Sequence, residues 1–238
     1  MNLSEKKTKV QEIDNKKVWD AEQPKIFLRG KEVEKVREFV YLGSVIASDA
    51  RDTADVERRL KLADNGIARM RRILWDKSLP QVLRVKMLSS FIYPIATYGC
   101  ETWALSRVDK NKLRKWWMKI LRMIYGVRWY HKVADTTILK GLACSKHLTT
   151  MIKSRRLRYA GHLYRYPEER FARKSLFAIW PVKQLGRGGH NAPNWNKQVA
   201  HELAEHALDL ETDKKVFRKQ LDEIYENSDI PEIQGQMQ

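Results

Sequence analysis

Residues 52–74 read DTADVERRLKLADNGIARMRRIL, and their spacing decides the fold class. Val56, Leu60, Ala63, Ile67, Met70 and the Ile73-Leu74 pair recur at intervals of three and four, so one helical face is apolar while charges fill the other. Asp52 is placed to cap that helix, and Asp55 sits in its first turn, where a carboxylate meets the positive end of the helix dipole. More helices follow. Ser78-Leu79-Pro80-Gln81 has the form of a capping box with proline in the opening turn, ahead of Val82, Val85, Leu88, Phe91, Ile92 and Ile95. Pro94 predicts a kink or an early end there. Ser106 caps a third helix carrying Leu113, Trp116, Trp117, Ile120, Leu121 and Ile124, closed by Gly126. Asp135 heads a short helix through Leu139, and Ser145 a longer one with Leu148, Ile152, Tyr159 and Leu163. Trp195 to Leu208 and Lys214 to Tyr225 read as two final helices.

On the N-terminal side, Lys25-Ile26-Phe27-Leu28 and Glu38-Phe39-Val40-Tyr41-Leu42, with Val45-Ile46 beyond Gly43, are β-like runs that predict a small sheet. The expected fold is mainly α, a short N-terminal β-hairpin followed by a helical bundle and further C-terminal helices. Its expected divisions are the hairpin region at 1–50, a bundle at 51–130, a basic helical extension at 131–180, a hinge loop at 181–194 and C-terminal helices with an acidic tail at 195–238. Pro181, Gly186, Gly188, Gly189 and Pro193 mark the hinge. No period of 20–50 residues repeats, so a solenoid is not expected.

The chain has 238 residues and a formal net charge of +17. By successive fifties the charge runs +1, +5, +8 and +9, then −6 from 201 to 238, so residues 101–200 carry as much positive charge as the whole chain. Interleaved with Trp116, Trp117, Trp129, Tyr130, Tyr159 and Tyr164, this is the electrostatic and stacking footprint of a nucleic-acid-binding face. Solvated basic helix faces are the competing reading. With 43% hydrophobic residues the chain can bury a core, and no apolar run approaches the ~18 residues of a membrane span. Met1 to Val10 is polar and lysine-rich, without the apolar stretch of a signal peptide, which points to the nucleus or cytoplasm.

Chemistry is sparse. The chain has no Asp-Asp pair, and Glu101, Asp109, Asp135, Glu168 and Glu169 are the only acids between 101 and 200, poor material for a two-metal site. His201 and His206 are five apart, so their rings would point about 140° from one another on a helix and could not share a zinc ion. Cys144 and His147 lack a second ligand pair, and Cys100 reads as a core residue. The glycines at 186, 188 and 189 follow no strand and lack a phosphate-loop lysine. No catalytic residue and no metal ligand is assigned.

Several motifs, in order, resemble the C-terminal part of the endonuclease/reverse transcriptases of LINE-type (non-LTR) retrotransposons. Lys6-Lys7-Thr8-Lys9 resembles the lysine-threonine element late in the palm, and Phe39-Val40-Tyr41-Leu42-Gly43 the primer-grip hairpin. Glu57-Arg58-Arg59-Leu60, Tyr98-Gly99-Cys100-Glu101-Thr102-Trp103 and Arg155-Arg156-Leu157-Arg158-Tyr159-Ala160-Gly161-His162 follow. Gly186-Arg187-Gly188 to Trp195 resembles the family's Arg/Gly/Pro-rich loop, although Gly189-His190-Asn191 departs from it.

The resemblance covers nearly the whole chain. It implies that 1–50 is the end of the palm with the primer grip, that 51–130 is a thumb-like bundle, and that Phe39, Tyr41, Leu42 and Gly43 position a primer end. The aspartates of the parent RNA-directed DNA polymerase would lie upstream of Met1, with the fingers and most of the palm. The chain alone would then not polymerise, needs no cofactor, and Mg2+ belongs to the full-length parent only. Expected partners are RNA, DNA or an RNA–DNA hybrid and the fingers and palm portion, with no membrane. Lys7, Arg58, Arg59, Arg69, Arg71, Arg72, Lys153, Arg155, Arg156 and Arg158 are the expected phosphate contacts, read against solvated helix faces. For Tyr41 and Gly43 a plain tight hairpin is the rival. A co-opted protein-interaction module and an inert retroelement remnant are the other readings of the whole.

Overall fold

The computed structural model describes residues 8–13, 25–142, 147–177 and 194–225. Lys7, Ser145 and nearly all of the expected hinge at 181–194 lie outside them.

Among the described residues the N-terminal part holds two separate antiparallel hairpins rather than one sheet. In the first, β1 (Phe27–Leu28) pairs with β2 (Lys31–Glu32). In the second, β3 (Glu38–Tyr41) pairs with β4 (Ser44–Ala47), from Glu38 opposite Ala47 to Tyr41 opposite Ser44. Strands of two residues leave the first hairpin too short to extend a sheet. The second turns through Leu42 and Gly43, both at positive φ (47° and 90°), the mirror-image turn whose twist matches that of the strands.

The expected first helix forms as α1 (Thr53–Arg69), burying Val56, Leu60, Ala63 and Ile67, and the chain continues after Met70 into α2 (Arg71–Leu74). Asp52 stands at the cap position without capping: its carboxylate accepts instead from the Ala104 amide at 2.6 Å. Burial, reinforced by Asp55 and Asp109, pushes the Asp52 carboxyl up to about 6, against the lowering effect of the Ala104 hydrogen bond. A carboxyl raised in the folded state favours folding fully below its unfolded value near 4, and that contribution is lost as the pH rises through about 6. Asp52→Asn keeps an oxygen for Ala104 and removes the buried charge. It should therefore stabilise the protein by about 1–3 kcal/mol at pH 7 and by much less at pH 4, as read by urea unfolding at both. A difference independent of pH would refute this assignment.

The expected capping box at Ser78 does not form. The Ser78 amide and hydroxyl both donate to Asp76 Oδ1, at 2.8 and 2.7 Å, and α3 (Gln81–Met87) starts behind extended Pro80. The helix ends early, just past Pro94, as expected. The ladder widens to a π-helical segment over Leu88–Ile92, and α4 (Tyr93–Ala96) ends two residues past the proline. Widening is one way to accommodate a ring that lacks an N–H and crowds the carbonyl four residues back. After Gly99 and a turn of 3-10 helix at Cys100–Thr102 comes α5 (Arg107–Tyr125). Its start has the expected cap, with the Asp109 amide donating to Ser106 Oγ at 3.1 Å, and left-handed Gly126 closes it. Then follow α6 (Asp135–Gly141), α7 (Leu148–Tyr164), α8 (Phe171–Phe177), α9 (Trp195–Glu205) and α10 (Lys214–Tyr225).

Two apolar cores result. The first joins α1 to α6 and runs on through Leu148 and Ile152 of α7, past the expected boundary at 130. The second gathers Leu157, Ala160 and Leu163 of the same helix with Leu176, Val199, Phe217, Leu221 and Tyr225.

Candidate nucleic-acid interface

Asp55 is the centre from which the hairpin tip is held. It is 2% exposed, accepts from the Val45 amide and from Trp103 Nε1, both at 2.9 Å, and lies 3.9 Å from Arg59 Nε. The first turn of α1 is thereby tied to β4 and to the segment ahead of α5. Arg58 Nη1 donates to the Gly43 carbonyl at 2.8 Å, and Arg59 Nη2 donates to the same oxygen. The Arg59 guanidinium lies 4.2 Å from the centre of the Tyr98 ring, and the Tyr98 hydroxyl donates to the Leu42 carbonyl at 3.2 Å. Gly99 fits tightly beneath: a Cβ there would come within 3.0 Å of Ser44 Oγ, and its φ of 72° suits glycine.

The first three motifs after the lysine-threonine element thus meet at one place. Inward-facing cations and a phenol occupy the tip's carbonyls, and its side chains face water. Leu42 is 77% exposed, and Val40 and Tyr41 are exposed with it, whereas Phe39 is half-buried. Of the expected phosphate contacts, Arg59 is buried and serves the turn, and the half-buried Arg58 is turned toward the same carbonyl.

In the fourth motif and at Lys153 beside it, the expected cations all find partners within the protein. Along the chain no acid lies near Lys153, Arg155, Arg156 and Arg158, but folding brings the acidic C-terminal helices against them. Arg156 is 1% exposed and donates to Glu202 at 3.1 Å and to Gln198. Lys153 pairs with Glu205 at 3.0 Å and Arg158 with Asp222. Arg155 donates to the backbone and hydroxyl oxygens of Thr97, both at 3.1 Å, with its guanidinium 5.1 Å from the Tyr93 ring centre. These side chains bind the two cores together. Burial opposes charge on both members of the inner pair, lowering Arg156 and raising Glu202, while each supports the charge of the other.

Arg69, Arg71 and Arg72 are exposed and form no ion pair among the described residues. They lie at the far end of α1, with Arg69 about 16 Å along the axis from Arg58. The structure therefore separates the expected cations into a tip group, a latch group on α7 and a free group beyond α1.

Cys100 is buried, which pushes its thiol up to about 12, too high to be a nucleophile. Among the described residues no three His, Cys, Asp or Glu side chains converge on a metal site. No described helix is long and apolar enough to cross a membrane. Sequence reasoning missed Asp55 and Tyr98 as anchors. The charge of 101–150 and its aromatics were visible in the sequence, but Lys115, Lys119 and Arg122, which share one face of α5, were not singled out as a site.

Comparison with known proteins gives one relative. The chain is 22% identical over 187 residues to an uncharacterized transposon-derived protein of Caenorhabditis elegans, the match covering 76% of this chain and 65% of that protein. The chain thus spans a little under two thirds of the relative's length. No protein-family model and no solved structure matches it. The similarity is consistent with a transposon origin.

Proposed function

We propose that the chain is the primer-grip and thumb-like part of a retrotransposon reverse transcriptase, binding template–primer nucleic acid through backbone contacts and not catalytic alone. A separate palm portion would carry the aspartates. One observation carries the reading: Leu42–Gly43, Arg58 and Arg59, and Tyr98 are far apart in sequence yet meet at a single hairpin tip, with Trp103 holding Asp55 behind it. A rigid turn that spends its polar backbone inward and presents Tyr41 and Leu42 outward is suited to seat the end of a strand. The transposon-derived relative supports the same origin.

The test is binding of the purified chain to a labelled RNA–DNA hybrid with a recessed primer end, and to the same hybrid with blunt ends, across a salt series. The expected result is steeply salt-dependent binding, with Tyr41→Ala plus Leu42→Ala weakening the recessed ligand about tenfold and the blunt one little. Both side chains are exposed, so the double variant should fold. No binding at low salt, or no discrimination lost, would overturn the reading, and nucleotide incorporation by the chain alone would overturn its non-catalytic part. The exposed apolar tip also suits a protein partner, and failure to bind any nucleic acid would favour that reading.

A further inference from the structure

Two cavities flank the C-terminal half of α5, of about 810 and 700 Å3, within the size range of ligand pockets. Met123, Val127 and Arg128 line both, and the second, a trough, is also lined by Arg114, Lys115, Lys119, Arg122 and Trp129. Its making is local. Lys115, Lys119 and Arg122 share a face of α5, with Arg114 beside them. The left-handed Gly126 then turns the chain back, and a single 3-10 turn at Trp129–His131 sets Arg128 and Trp129 at the rim.

The charge of the second cavity is lopsided. Arg114, Lys115, Lys119, Arg122 and Arg128 face one carboxylate, Asp135, which takes Arg114 at 3.1 Å and also Arg122. Lys115, Lys119 and Arg128 form no ion pair among the described residues. Trp129 is 84% exposed and stands edge-on to Tyr130, 5.9 Å between ring centres, while Tyr130 stands edge-on to His131 at 4.6 Å. The indole is steadied by its neighbours and leaves most of its surface to solvent, a state with no use in packing. The floor between the cations is apolar, with Met118 and Val127.

We propose that this trough binds single-stranded nucleic acid, one base stacking on Trp129 while Lys115, Lys119 and Arg128 meet the adjoining phosphates. The class of ligand follows from the combination. An acidic peptide would use the cations but not a bare indole, and a duplex hides its base faces, whereas a single strand offers charge and π-face together. The site is distinct from the hairpin tip, so either can fail without the other.

The experiment uses the purified chain and a short fluorescein-labelled oligothymidylate, with polyglutamate as competitor. Trp129→Ala is expected to weaken oligothymidylate binding about tenfold or more with no change in melting temperature. Lys115→Glu plus Lys119→Glu should weaken it further and lower the log–log salt slope by about 2. Polyglutamate should compete poorly. Unchanged affinity in Trp129→Ala, or polyglutamate competing as well as the oligonucleotide, would overturn the proposal. Because the primer-end reading is scored on a recessed hybrid with Tyr41 and Leu42 variants, its failure is separately visible.

Discussion

Asp55→Ala is expected to destabilise the protein by about 3–5 kcal/mol and to release the β3–β4 hairpin from α1. The substitution strands two buried donors, the Val45 amide and Trp103 Nε1, each of which now has its carboxylate oxygen at 2.9 Å. Leaving a buried donor unsatisfied costs about 1–3 kcal/mol, and the nearly buried Arg59 also loses its acid. Asp55→Asn should cost less, because it keeps the shape and one acceptor oxygen. Urea unfolding reads the total, and hydrogen exchange at Val45 locates it. A loss below about 1 kcal/mol with Val45 still protected would mean that the hairpin is held some other way.

A comparable loss, about 3–5 kcal/mol, is expected for Arg156→Met, which leaves Glu202 buried and charged without its partner. The two-residue replacement Arg156→Met with Glu202→Leu should regain most of it. In the present pair Arg156 Nε and Glu202 Oε2 have no hydrogen-bond partner among the described residues, so the ions are imperfectly served where they sit. The single variant should also recover as the pH falls. Burial already raises the Glu202 carboxyl, and protonating it removes the stranded charge, so stability present at low pH is lost as the pH rises. Denaturant melts of the three proteins at pH 5 and 7 decide the matter; a double variant no more stable than the single would show that the pair is needed for its shape alone.

Local rules carried the sequence reading where the physics is local. The stripe from Val56 to Ile67, the Ser106–Asp109 cap, Gly126 and the helices starting at Trp195 and Lys214 each follow from residues within a few positions. Asp52 and Ser78 look like caps by position, but their side chains take other partners: the Ala104 amide, 52 residues away, and the nearby Asp76. Arg156 and Arg158 look like a bare basic face because their acids lie 46 and 64 residues further on, beyond the reach of any charge window. At the hairpin, Tyr41–Gly43 and Arg58–Arg59 were legible as motifs. Asp55 was not, since an acid in a first helical turn is common for dipole reasons alone. Trp129 was visible as an aromatic among cations, but only the turn after Gly126 sets it on a rim.

α7 belongs to both cores, Leu148 and Ile152 to one and Leu157, Ala160 and Leu163 to the other. Seventeen residues of helix make a rod about 25 Å long with each end embedded in a different packed mass. Among the described residues, then, the two packed masses share one element. Displacing α9 or α10 would therefore pull on the same helix that Arg155 ties to Thr97, just ahead of the turn beneath the hairpin.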